Sequence, residues 1–234
     1  MQMRKSLIAG LATCSLLSFA NGALAHVSVA GPAFAGKSQV LTFGVGHGCE
    51  GGTDTFRVEI AIPEEVKSLR ALPSAWGEAV LTKNDADSVT AVTWTKSEVR
   101  DADDQYYQFA IRITVPDAPF TTLYFPATQT CRNADGEETT VAWAALPGDE
   151  PPAEGEEVLE SPALLVLPPR MPGWNKYTVE DDIDDLSMFD DAQIVWVGDA
   201  AYSANPETAK LIESEDDVDE LEKIEAGAEI WVKY

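Results

Sequence analysis

The chain has 234 residues, 45% of them hydrophobic, with 40 acids against 16 bases and a formal charge of −24. That length suffices for one medium domain and a smaller one, each with a core. The charge excludes nucleic acid and an anionic membrane surface as partners, because both would be repelled. With only three cysteines and two histidines, four-cysteine zinc sites and multi-histidine metal cages within one chain are excluded as well.

Residues 1–25 read as a secretory signal. Arg4 and Lys5 give the basic start, Ser6 to Phe19 is apolar or small, and Ala23-Leu24-Ala25 is a small-residue cleavage pattern. The stretch is short for a span, which needs about 20 apolar residues. Lipoprotein processing at Cys14 is the rival, and Thr13 is a poor residue before such a cysteine. Cleavage after Ala25 predicts an exported protein, periplasmic or in the cell envelope, with His26 first. It also leaves 14 bases against 40 acids, a charge of −26. Cys49 and Cys131 remain, and two cysteines in an exported chain usually pair. Closing so long a loop stabilises a fold by about 4 kcal/mol in the chain-entropy model. The alternative is a thiolate metal site, which needs reduced sulfur.

Residues 26–168 read as all-β. Val27-Ser28-Val29 alternates, and Val40 to Val45 follows a Gly36-Lys37 turn signal. Phe56, Val58, Ile60 and Ile62 alternate up to Pro63. Val89 to Thr95 carries Val92 and Trp94. Tyr107, Phe109, Ile111, Ile113 and Val115 alternate up to Pro116. Leu123 to Phe125, Thr139 to Leu146 and Ala163 to Leu167 follow, the last two separated by a Pro-, Gly- and acid-rich loop over 147–160. The fold class this predicts is mainly β: an antiparallel, Ig-like β-sandwich.

Residues 169–234 form a small acidic α+β module. Positions 171–234 hold eighteen acids and four bases. Its candidate core includes Trp174, Ile183, Leu186, Phe189, Val195, Trp196, Leu221, Ile224, Ile230 and Trp231. Ile194 to Val197 and Glu229 to Tyr234 read as strands. Val218, Leu221 and Ile224, spaced by three, predict one short amphipathic helix. The acids read as a solvated face, since no D-x-D-x-D-G loop supports calcium.

Chemistry concentrates at the start of the mature chain. A free N-terminal His26 is a bidentate chelator, its α-amine and ring Nδ1 closing a ring around one ion. Such nitrogen ligands suit Cu(II), at the top of the divalent affinity order. The α-amine titrates near pH 8 and imidazole near 6.5 in unperturbed form, so both are available near neutrality at a modest proton cost. The second histidine sits in Gly46-His47-Gly48-Cys49-Glu50-Gly51-Gly52, where His47 and Glu50 read equally as ligands or as turn residues. Trp143 lies on an alternating strand and reads by default as a core aromatic. No nucleophile elbow, P-loop or dinucleotide fingerprint occurs.

Ala25-His26-Val27-Ser28-Val29, the loop His47-Gly48-Cys49-Glu50-Gly51, the run Leu123 to Cys131 (LYFPATQTC) and Val141-Ala142-Trp143 together resemble the YcnI-like family of exported bacterial copper-binding proteins. Leu72-Pro73-Ser74-Ala75-Trp76 and Val92-Thr93-Trp94 fit the same pattern. The resemblance covers residues 26–168 and implies a β-sandwich holding Cu(II) in a single-histidine brace. His26 would give amine and ring nitrogen, Glu50 would complete the set, and Trp143 would lie beside the metal. Two departures stand out: Val45-Gly46 replaces the family's usual Val-Pro before the loop, and the loop carrying the Glu varies in length. His47 is the alternative third ligand, or orients Glu50. The function implied is a copper carrier or chaperone, not an enzyme, with the copper ion and another copper-handling envelope protein as partners. The rival functions are a copper-dependent, oxygen-activating enzyme using His47 as second histidine, and a structural envelope protein acting through its C-terminal module.

Overall fold

The computed structural model describes residues 26–31, 33–49, 53–99, 104–150 and 158–234. The alternating apolar runs fold as the strands that pattern demands. The first sheet takes β1 (Val27–Ala30), β2 (Ser38–Val45), β7 (Tyr107–Thr114) and β4 (Lys67–Ala71), in that order. The second takes β10 (Glu138–Trp143), β9 (Ala127–Arg132), β3 (Asp54–Ala61), β6 (Val89–Thr95) and β5 (Val80–Lys83). Pairings in both are antiparallel. β8 (Thr122–Tyr124) and β11 (Ala163–Leu165) pair separately.

The two inner faces meet in one core. Leu41, Phe43, Phe109, Ile111 and Ile113 from the first sheet pack against Val58, Ile60, Val92, Trp94 and Trp143 from the second, all buried. Trp94 stacks on Phe109 at 4.9 Å and Phe43 meets Phe125 edge-on at 5.4 Å. Each such side chain contributes about 1.5–3 kcal/mol by leaving water. The chain is mainly β with an Ig-like sandwich, as its sequence pattern predicts.

The C-terminal module has a sheet of its own: β12 (Trp174–Thr178), β16 (Glu229–Lys233), β13 (Ile194–Val197), β14 (Ala200–Tyr202) and β15 (Asp219–Glu220). Two expectations fail here. The helix is α1 (Pro206–Ser214), capped by Asn205, whose side chain accepts from the Glu207 and Thr208 amides. Val218, Leu221 and Ile224 are not helical: they flank β15, and Ile224 bridges Ile183. Nor are Trp174 and Trp231 core residues, at 50% and 43% exposure. Strand alternation turns their neighbours Asn175, Ile230 and Val232 inward instead.

The sandwich reaches into this second core. Phe120, in the turn after β7, packs on Tyr177 and Phe189.

Candidate metal centre

His26 immediately precedes β1 and is exposed. The β1–β2 register sets Val27 opposite Val45 and Ser28 opposite Gly44. One step further puts His26 beside Gly46, where the His47-Gly48-Cys49 loop leaves β2. A Cβ at Gly44 would lie 1.9 Å from the Tyr106 hydroxyl, so any larger residue there would push that exposed ring aside. The main chain at the start of the strand and the main chain of the loop are therefore neighbours by sheet pairing.

The loop is clamped at several points. Its entry is held by Gln129 of β9, which faces inward and is fully buried. The Gln129 amide nitrogen donates to the His47 carbonyl at 2.8 Å and to the Thr55 hydroxyl at 2.7 Å. Its middle is held by the Cys49–Cys131 disulfide, with both cysteines buried. Cys49 also bridges Thr53. Next to Thr53, Asp54 is 1% exposed and ion-paired with Lys96. The Tyr107 hydroxyl donates to Asp54 at 2.8 Å, and the Lys96 ammonium donates to that hydroxyl at 2.9 Å. Lys96 also stands 4.7 Å from the Tyr107 ring centre and 5.3 Å from that of Trp76.

His47 is half-buried, and its ring Nδ1 lies 2.8 Å from the Gly48 carbonyl oxygen. A carbonyl only accepts, so Nδ1 carries the proton in that contact. Nε2 is buried, which leaves His47 poorly presented to an ion arriving from solvent.

Trp143 stands opposite Ala127 on β10, buried in the sandwich core. Its indole N–H finds no acceptor among the described residues. It is thus a core residue of the second sheet, whereas His26 is exposed at the rim of the first. Glu50 lies outside the described residues, as does the 1–25 segment. Among the described residues no group of three or more His, Cys, Asp or Glu is gathered as a metal cage.

The family model described as "Domain of unknown function (DUF1775)" matches residues 26–168, more than half of the chain. The chain belongs to this family. It is the YcnI-like family domain that the sequence resembles, and the match ends where the C-terminal module begins. Among solved structures, an uncharacterized protein from Nocardia farcinica with an immunoglobulin-like fold is 28% identical, with 61% of this chain and 98% of that one covered, at a TM-score of 0.48. A cohesin module from a Clostridium perfringens family 33 glycoside hydrolase is 11% identical, covering 62% and 95%, at a TM-score of 0.38. No curated protein matches.

Sequence reasoning missed Gln129 and the Asp54–Lys96–Tyr107 group. Gln129 carries a readable signal: in Ala127-Gln129-Cys131 it is a polar residue at an inward position of an alternating strand.

Proposed function

We propose that this protein is an exported carrier of Cu(II), holding one ion as cargo at the start of the mature chain. The reading takes residues 1–25 as a cleaved signal, so that His26 offers its α-amine and ring Nδ1. Glu50 is the third ligand by the family resemblance. One observation carries the proposal: an exposed His26 begins β1 directly beside a loop clamped by a disulfide, by Gln129 and by the Asp54 ion pair. Preorganised surroundings lower the ordering cost of binding, so even a sparse ligand set can hold an ion. A buried disulfide fits an oxidising compartment. Among the described residues no helix is long and apolar enough to cross a membrane.

The carrier reading is preferred over the oxygen-activating enzyme because the second brace nitrogen would have to come from His47, whose Nε2 is buried. By the family resemblance Trp143 lies beside the metal, its ring buried in the sandwich core. The test is to produce the protein with its own leader, establish the mature N-terminus by mass spectrometry, and record the Cu(II) paramagnetic spectrum. A chain starting at His26, with nitrogen hyperfine structure lost in His26→Ala, supports the proposal. A chain starting elsewhere contradicts it.

A further inference from the structure

The outward face of the first sheet carries a shallow trough at its His26 end. Val27, Val45 and Tyr107 share one row across β1, β2 and β7. The next row along the same register is His26, Gly46 and Tyr106. Val27 and Val45 are buried, so strand alternation turns that next row outward. Gly46 is the floor of the trough. Its φ is not positive, and a Cβ there would meet nothing within 4 Å among the described residues. Neither backbone shape nor packing calls for glycine at this place. A strand glycine marks the close approach of a ligand or of a second backbone, and no second backbone stands over this one.

Tyr106 supplies one wall. It is 59% exposed, yet the tip of its ring lies on Gly44, which is buried although it faces outward. The ring therefore starts beside Gly46, runs along the trough and ends on Gly44, bordering the open space without filling it. β1 is the opposite wall. The Ser28 hydroxyl, across from Gly44, stands 3.0 Å from the place a Gly44 Cβ would take, and the Tyr106 hydroxyl stands 1.9 Å from it. One water is enough to join the two hydroxyls. They close one end of the trough, and the clamped loop begins at the other.

An ion chelated by His26 has this space at its side. Cu(II) favours a four-cornered plane of nitrogen and oxygen ligands. The α-amine, Nδ1 and the Glu50 carboxylate give three corners, and a water gives the fourth. Two hydroxyls beside that water hold it by hydrogen bonds, and an aromatic ring on the same side keeps bulk water and competing ligands off the ion. We propose that Tyr106 is a positioning residue of the copper site, its ring walling the ion and its hydroxyl, with that of Ser28, holding the water that completes the coordination. The proposal rests on the copper reading and adds a residue to it.

The test uses the chain beginning at His26, with its tyrosine rings isotope-labelled for NMR. One equivalent of Cu(II) should broaden the Tyr106 ring signal, identified by its loss in Tyr106→Phe, beyond detection, and leave that of Tyr202 in the module sharp. A strong chelator should withdraw copper about tenfold faster from Tyr106→Ala than from the parent. From Tyr106→Phe, which keeps the wall and the fold and loses one hydrogen bond, withdrawal should be about threefold faster. Ser28→Ala and Tyr106→Phe should each shift the Cu(II) paramagnetic spectrum. A sharp Tyr106 signal beside a His26-dependent copper spectrum overturns this proposal alone. Unchanged withdrawal rates in both Tyr106 variants, or an unchanged spectrum in Tyr106→Phe, do the same. Copper binding that survives His26→Ala, or no copper binding, overturns the copper reading and this proposal with it.

Discussion

The side-chain amide of Gln129 donates to the main-chain carbonyl of His47 across 2.8 Å, joining residues 82 positions apart. The same nitrogen donates to the Thr55 hydroxyl, so one buried amide ties the loop after β2 to the sheet beneath it. Gln129→Leu leaves a buried carbonyl without its donor and should cost about 1–3 kcal/mol of stability. Gln129→Glu should cost more near neutrality, because a carboxylate cannot donate to a carbonyl. Denaturant midpoints of the two variants check the order. Equal stability of both variants and the parent would remove Gln129 from the account.

Phe120 couples the two units. It is 2% exposed, sits in the left-handed region at φ 69°, and its ring lies 5.6 Å from Tyr177 and 6.0 Å from Phe189. Its amide donates to the Val166 carbonyl at 2.7 Å. Phe120→Ala opens a cavity in the module core and should cost about 3–5 kcal/mol. Calorimetry should show the module melting earlier while the sandwich, probed by Trp94, holds.

Asp54 and Lys96 form a buried ion pair shared with the Tyr107 hydroxyl. Taking away one partner strands the other charge in a poorly solvated place, so Lys96→Met should cost about 3–5 kcal/mol. Asp54→Leu together with Lys96→Met should cost less than Lys96→Met alone, since no charge is then left buried. A double-mutant cycle by denaturant unfolding measures this. Additive losses would mean that the two groups do not act as a pair.

The module should lose stability in alkali. Burial pushes the Tyr202 phenol up to about 12, helped by its hydrogen bond to Asp190, and burial likewise pushes Tyr234 up to about 12. The folded state thus favours the neutral phenols, against an ordinary value of 10.0. Their contribution is fully present below pH 10 and is lost as pH rises through about 12. Phenolate absorbance should rise in step with loss of module structure across that window. Ionisation of both at the ordinary value, in a fully folded chain, would contradict this.

The sandwich strands were legible because one face of each is buried: β3 and β7 alternate through Val58, Ile60, Phe109, Ile111 and Ile113. β5 was not, since all four of its residues are exposed and no period marks them. The helix was misplaced for a related reason. α1 buries only Ile212 and has no apolar stripe, whereas Val218, Leu221 and Ile224 mimic one while serving a turn, a short strand and a bridge. Asn205-Pro206 was the better signal, as cap and first helical residue. Residue type alone puts Trp231 in the core, though Glu229 and Lys233 on its own face of the strand point outward. At the candidate site, the Cys49–Cys131 pair was readable from the chain. Gln129 could be read as an inward polar residue, but its partner His47 and the Asp54–Lys96 pair could not, because they depend on strand register across tens of residues.

The most direct test of the copper reading compares two forms of the same chain by Cu(II) titration: one beginning at His26, and one with a methionine retained before it. The second keeps the imidazole, Glu50 and the fold, and loses only the α-amine of His26 as a ligand. The account predicts one tightly held Cu(II) in the first form and an affinity at least about a hundredfold weaker in the second, roughly the 2.7 kcal/mol of a lost strong ligand. Equal affinities in the two forms would contradict it.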